Sequence, residues 1–359
     1  MKILIFANYD VGLYQFRREL IEALLKEHEV TIALPYGELV DRLVEAGCTF
    51  IDVPMNRRGI NPAEDLSLMR RFGAVLSQVR PDLVITYTIK PNIYGSFLCR
   101  LRGIPCAANI TGLGTAFEGS GLLRRMVTQM YKTALKKNRV VFFENAVNKE
   151  LFEKEGIIGA KQGMLLPGAG VNLERYQPQP YPEDSSFRFL FMGRVMKEKG
   201  IDELIAAMRR LNREGAACAL DVLGPSEEDY SALLGDCEKE GWLKFHGYQV
   251  DVRPFIAAAH CFVLPSWHEG MANTNLECAA SARPVITSNI PGCREAVVPG
   301  ETGFLCEAKS ADSLYAVMKE MLSLSPARRA EMGRAGRAHM EAVFDKRRVV
   351  ERTIAALGL

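Results

Sequence analysis

Two acids stand eight positions apart in HEGMANTNLE, Glu269 and Glu277. Before them CFVLPSW reads as a buried strand, and after them CAASA runs on as a helix. If that helix begins near Asn273, its first N–H groups point back into the turn and can bind phosphate oxygens. Glu269 then lies in the loop and Glu277 about one turn into the helix, on the order of 10 Å away. A carboxylate accepts hydroxyl donors and repels phosphate, so such a pair suits a ligand with hydroxyl-bearing rings on both sides of a diphosphate. A nucleoside diphosphate sugar has that form. One such pair is expected by chance in a chain of this length, so its meaning depends on its surroundings.

A second cluster, GRVMKEKG, follows FRFLFM. Gly193 turns the backbone off a strand, and Arg194 and Lys199 project from the loop ahead of a helix starting near Ile201. Arg offers a planar fork and Lys a point charge, a combination that suits a diphosphate; alone, the motif also reads as a solvated charged loop.

The elements that must position these residues alternate along the whole chain. KILIFA, VTIALP, FIDVP, DLVITYT, CAANITG and RVVFFEN are strands of a first series; FRFLFMG, ALDVLG, LKFHG, CFVLPS, RPVITS and GFLCE form a second. Helical patterns such as LYQFRRELIEALLKE lie between them, which is the mark of parallel βα units. The expected organisation is α/β: a Rossmann-like domain over 1–165, a proline-bearing linker over 166–187, a second Rossmann-like domain over 188–340, and a terminal helix over 341–359 packing back toward the first domain. Ligands of such sheets bind beyond the carboxyl ends of the strands, and two of them facing each other make a central cleft the expected site.

A chain of 359 residues with 48% hydrophobic and 25% charged residues is an ordinary two-domain globular protein. No run approaches the roughly 18 apolar residues of a membrane span, and MKILIFANYD reads as a first strand and not as a signal peptide. The nine cysteines are scattered, without CxxC, which points to reduced thiols in a cytoplasm. Between Lys90 and Arg139 nine basic residues face one acid, Glu118, so an anionic surface or ligand is expected on the first domain. A pI near 8.0 is too mild for nucleic acid.

GRVMKEKG, with LPSWHEGMANTNLECAASARPVITSNIPG about seventy residues on and GETGFL after it, resembles glycosyltransferase family 4, retaining enzymes of the GT-B fold. The resemblance covers the whole second domain. It implies that Glu269 contacts the transferred sugar, Glu277 holds the nucleotide ribose, and Arg194 and Lys199 bind the diphosphate as it leaves. It also implies that Gly193 and the backbone of Gly270, Met271, Ala272 and Asn273 touch the donor, with the base against HGYQVDV near Tyr248 and Val250. In the first domain the likeness is looser: Gly12 stands where the family has a glycine pair, and Asn109 or Thr111 where many members have His. TYTIKPNIYG and NITGLG are similar to a subgroup that extends sugars on undecaprenyl diphosphate in capsule, O-antigen or glycoprotein glycan assembly. That likeness implies a nucleotide sugar, taken as UDP-N-acetylhexosamine, and a lipid-linked saccharide as partners. Acceptor contacts are then expected from Asp10, Arg57, Arg58, Lys90, Asn109 and Thr111. No D-x-D motif occurs, so no metal cofactor is expected.

GLLRRMVTQMYKTALKKNR (121–139) interleaves six cations with Leu, Met and Tyr. It reads either as a helix for an anionic membrane surface or as one packed on its own sheet with a basic outer face. Three further readings stand beside the transferase. A dinucleotide dehydrogenase lacks its G-x-G-x-x-G after the first strand. A sugar-nucleotide epimerase of the same architecture and a non-catalytic sugar-nucleotide sensor stay open at this level.

Overall fold

The computed structural model describes all residues except 57–60, 114–116, 118–120 and 184–185. The chain divides into two compact units, one of Met1–Ala169 with Lys346–Leu359 and one of Gly170–Asp345.

Unit 1 is built on a seven-stranded sheet: β1 (Lys2–Phe6), β2 (Glu29–Leu34), β3 (Thr49–Asp52), β4 (Leu83–Tyr87), β5 (Cys106–Ile110), β6 (Val140–Phe143) and β7 (Gly163–Leu165). Their order is 3-2-1-4-5-6-7, and every pairing is parallel. Strands β4, β5 and β6 are buried throughout, because helices cover both faces of a parallel sheet. That burial is why they read as mainly apolar runs, broken by Thr86 and Asn109. The three-residue strand β7 is the one the sequence pattern does not predict. It lies at the sheet edge and is only three residues long, and its short apolar run, 164–166, ends at once at Pro167.

Unit 2 carries a six-stranded parallel sheet: β8 (Phe187–Met192), β9 (Cys218–Leu223), β10 (Leu243–Phe245), β11 (Cys261–Leu264), β12 (Val285–Ser288) and β13 (Gly303–Cys306), ordered 10-9-8-11-12-13. Counting helices through the chain, unit 2 holds α7 (Ile201–Arg213), α10 (Asn273–Ala280), α11 (Ala311–Ser323) and α12 (Pro326–Val343) among others. The helix α13 (Lys346–Leu357) belongs to unit 1, where Lys346 pairs with Glu19 at 3.3 Å.

Much of the stretch read as a linker is fastened to unit 2. The wholly buried Arg283 donates five hydrogen bonds, to the carbonyls of Gln179, Pro180, Ile256, Ala257 and Ala282. Burial lowers its guanidinium to about 10. Val171 adds a bridge to Asp345. All nine cysteines are buried and unbonded, and burial pushes thiols such as Cys48 up to about 11.

Candidate functional site

In unit 2 the two motifs follow neighbouring strands, GRVMKEKG after β8 and HEGMANTNLE after β11. Strand adjacency therefore brings together residues seventy positions apart. The ammonium of Lys199 donates to the Glu269 carboxylate, with the two side chains 15% and 13% exposed. The loops are also joined through backbone, because the Glu198 carbonyl accepts from Trp267 N at 2.9 Å and from Ser266 Oγ at 3.3 Å. Gly200, which ends the first motif, has φ +73, and a Cβ there would stand 2.1 Å from the Pro265 carbonyl oxygen. Only glycine meets both demands.

The helix α10 starts at Asn273, and no side chain caps it. Its leading loop is clamped from the side: Ala272 N donates to Gly292 O at 2.8 Å, and Gly292, at φ +84, would carry a Cβ 2.5 Å from Gly270 O. Gly270, Met271 and Ala272 are buried, so their backbone is held while Glu277 is half-buried. The Tyr176 hydroxyl is raised well above its usual range, by burial first and then by the charge of Glu277, with which it shares a hydrogen bond.

Arg194 extends from the turn at Gly193, and its Nη1 reaches Glu227 Oε2 at 2.8 Å. Glu228 accepts from Lys197 N at 2.9 Å, and His268 faces Glu198 at 3.3 Å. Glu227, Glu228, Tyr176 and Gly292 join the site only in the structure. The acid run in GPSEED, placed just beyond the strand ALDVLG, was the available signal for the first two. Tyr176 lies in a stretch without periodicity and had none. Tyr248 and Val250 lie in the loop after β10, 53% and 81% exposed.

In unit 1 the expected contacts lie at or just beyond the carboxyl ends of strands, and several have internal partners. Asp10, the first residue of α1 (Asp10–Leu25), is buried and accepts from Leu39 N at 3.0 Å. Gly12 lies in the first turn of α1, and a Cβ there would meet nothing within 4 Å. Lys90 pairs with Asp65 at 2.8 Å. Asn109 donates to Thr86 O at 3.2 Å and its carbonyl accepts from Asn92 Nδ2 at 2.8 Å, closing a buried polar network with Thr86. Thr111 follows β5 and is half-buried. Thr88, a β-branched residue at φ +74, is held in the left-handed region beside this network, a conformation that persists only where the surroundings over-determine it. Arg57 and Arg58 lie outside the described residues.

Two family models match: "Glycosyl transferases group 1" over residues 174–339 and "Glycosyl transferase 4-like" over 2–145. Together the two models span most of the chain, which is a glycosyltransferase. The transferase is 24% identical over 334 residues to a Campylobacter jejuni N,N'-diacetylbacillosaminyl-diphospho-undecaprenol alpha-1,3-N-acetylgalactosaminyltransferase, covering 88% of this chain and 87% of that protein. It is 27% identical over 306 residues to an Escherichia coli UDP-Gal:alpha-D-GlcNAc-diphosphoundecaprenol alpha-1,3-galactosyltransferase, covering 77% and 75%. Among solved structures it resembles Anabaena HepE in complex with UDP and glucose, with TM-score 0.82 and 16% identity over 100% of this chain and 99% of that one. A Rickettsia africae glycosyltransferase gives 0.80 at 18%, covering 99% and 97%. These likenesses establish the fold, which is GT-B with two Rossmann-like units.

Proposed function

We propose that this transferase moves a hexose or N-acetylhexosamine, with retention, from a UDP-sugar to a saccharide carried on undecaprenyl diphosphate, in the synthesis of a bacterial surface glycan. The observation that carries the donor half is the meeting of Lys199 and Glu269 beside the uncapped start of α10. That arrangement offers a cation for a diphosphate, a carboxylate for a sugar hydroxyl, and backbone N–H groups between them. The acceptor follows the Campylobacter and E. coli relatives, both named for diphospho-undecaprenol substrates.

In this reading Arg194 and Lys199 hold the leaving diphosphate, Glu269 orients the sugar and Glu277 the ribose. The bond from the anomeric carbon to the diphosphate oxygen breaks as the acceptor oxygen attacks on the same face. The acceptor's proton passes to the departing diphosphate, and the side chains meet its charge without a metal ion. Lys90 and Thr111 are the described candidates for acceptor contacts, with Asp10 and Asn109 shaping the loops behind them. Arg57 and Arg58 are proposed alongside.

We place the protein on the inner face of the membrane. No helix among the described residues is long and apolar enough to cross one. Support comes from α5 (Leu122–Leu135), which turns Val127, Tyr131, Ala134 and Leu135 into the core but leaves Leu122, Leu123 and Met126 outside among cations. UDP release from a UDP-hexosamine, measured with and without a diphosphate-lipid-linked saccharide, tests the reading. Acceptor-dependent release is expected. Release of a free epimer without acceptor would make the protein an epimerase, and binding with neither would make it a sensor.

A further inference from the structure

Three side chains on neighbouring strands of unit 2 form a polar chain that ends at the root of one loop. Asp221, on β9, is 8% exposed at its side chain. One of its oxygens accepts from Arg188 Nη1, on β8, at 3.0 Å, and the other meets His246 Nε2 at 2.7 Å. His246 is the first residue past β10, so the chain runs across the strand order 8-9-10. The Asp221 carboxylate accepts from Nε2–H, which selects one tautomer and one orientation of the ring. Turning the ring away would leave a buried carboxylate short of a donor, a costly outcome. The Phe255 ring packs edge-on against the imidazole, centroid to centroid 4.7 Å.

The backbone around His246 is fastened in the same region. His246 N donates to Val222 O at 2.9 Å and Gly224 N to Gly247 O at 2.8 Å. Gln249 folds back, its Nε2 on the His246 carbonyl at 2.7 Å. Beyond these ties Tyr248 and Val250 stand open to solvent. The loop is thus fixed at its root and exposed at its tip, as a recognition surface requires.

We propose that His246, through Asp221, is a positioning residue that holds Gly247–Val250 as the seat of the donor's nucleobase. The proposal rests on the nucleotide-sugar reading above. Its test compares binding of UDP with binding of ribose 5-diphosphate, which lacks the base, by calorimetry on the full chain. Should the wild type prefer another nucleoside diphosphate, that one replaces UDP. His246→Ala is expected to weaken UDP about tenfold or more and ribose 5-diphosphate less than about twofold, and to raise donor KM with kcat little changed. His246→Gln, which keeps an N–H for Asp221, is expected to recover most of the loss. Should His246→Ala fail to fold, Gln249→Ala cuts the loop's other tie and is expected to narrow the same gap. Equal weakening of both ligands, or an unchanged preference for UDP, overturns the role of His246 and leaves the transferase reading standing. A wild type that binds no nucleoside diphosphate overturns both.

Discussion

Arg194 and Lys199 each face a carboxylate, and the two pairs differ in depth. Arg194 and Glu227 are 40% and 25% exposed at their side chains, so a diphosphate reaching Arg194 competes with a screened, solvated partner. Lys199 and Glu269 are more enclosed, and truncating Lys199 leaves Glu269 without its cation in a site shielded from water. Both substitutions to alanine are expected to lower kcat by about two orders of magnitude or more, the scale of removing one charge stabiliser from a leaving group. Steady-state turnover checks this, and near-normal kcat in either variant takes that residue out of the site. Glu269 and Glu277 were legible as sequence because both lie in one short strand-to-helix turn. That Lys199 pairs with Glu269 and Arg194 with Glu227 was not, since pairing across 70 and 33 positions leaves no local pattern.

At the scale of elements, α5 had two readings in sequence, and the structure sorts its apolar residues between them. Tyr131 and Leu135 serve the core with Phe143 and Phe152, whereas Leu122 is 84% exposed, Met126 50% and Leu123 42%. With Arg124, Arg125, Lys132, Lys136 and Lys137 on the same segment, attraction to anionic lipid is worth about 1 kcal/mol per basic residue near the surface and weakens with salt. Co-sedimentation with anionic vesicles is therefore expected at low salt, with little at high salt and little on neutral vesicles. Replacing Arg124, Arg125, Lys136 and Lys137 by Gln should abolish it, and Leu122→Ser with Met126→Ser should weaken it. Undiminished binding by the Gln variant would remove α5 from the membrane face. A second element-level prediction concerns α7 and α11, joined through Glu214, whose carboxylate accepts from Tyr315 at 2.6 Å and Lys319 at 2.8 Å. The Lys319 hydrogen bond first, and that of Tyr315 next, hold Glu214 down to about 2 from an ordinary 4.5. A depressed acid stabilises the fold above its unfolded pKa, and the effect fades as pH falls from about 4.5 toward 2. Thermal melts of Glu214→Gln should thus show a lower Tm than wild type near neutrality and a vanishing difference in acid. A Tm gap that persists at low pH would refute the linkage.

For the whole molecule, the proposed chemistry meets the leaving group's charge with Arg194, Lys199 and the start of α10, so transfer should survive EDTA. Complete loss restored by Mg²⁺ would show the metal-free proposal to be wrong. What the sequence determined by itself is periodic or local. The alternation of strands with amphipathic helices follows from covering both faces of a parallel sheet, and that alternation made twelve of the described strands readable. The site motifs were readable because parallel strands deliver their loops to one end, where short runs such as GRVMKEKG and HEGMANTNLE carry most of the chemistry. Tertiary structure alone decided the rest. Strand order 10-9-8-11-12-13 set which loops adjoin, and hence the Lys199–Glu269 pair and the Arg188–Asp221–His246 chain. Packing decided that Arg283 is buried among backbone carbonyls and that one end of α5 stays outside. These outcomes depend on which distant segments become neighbours, and spacing along a single chain does not encode that.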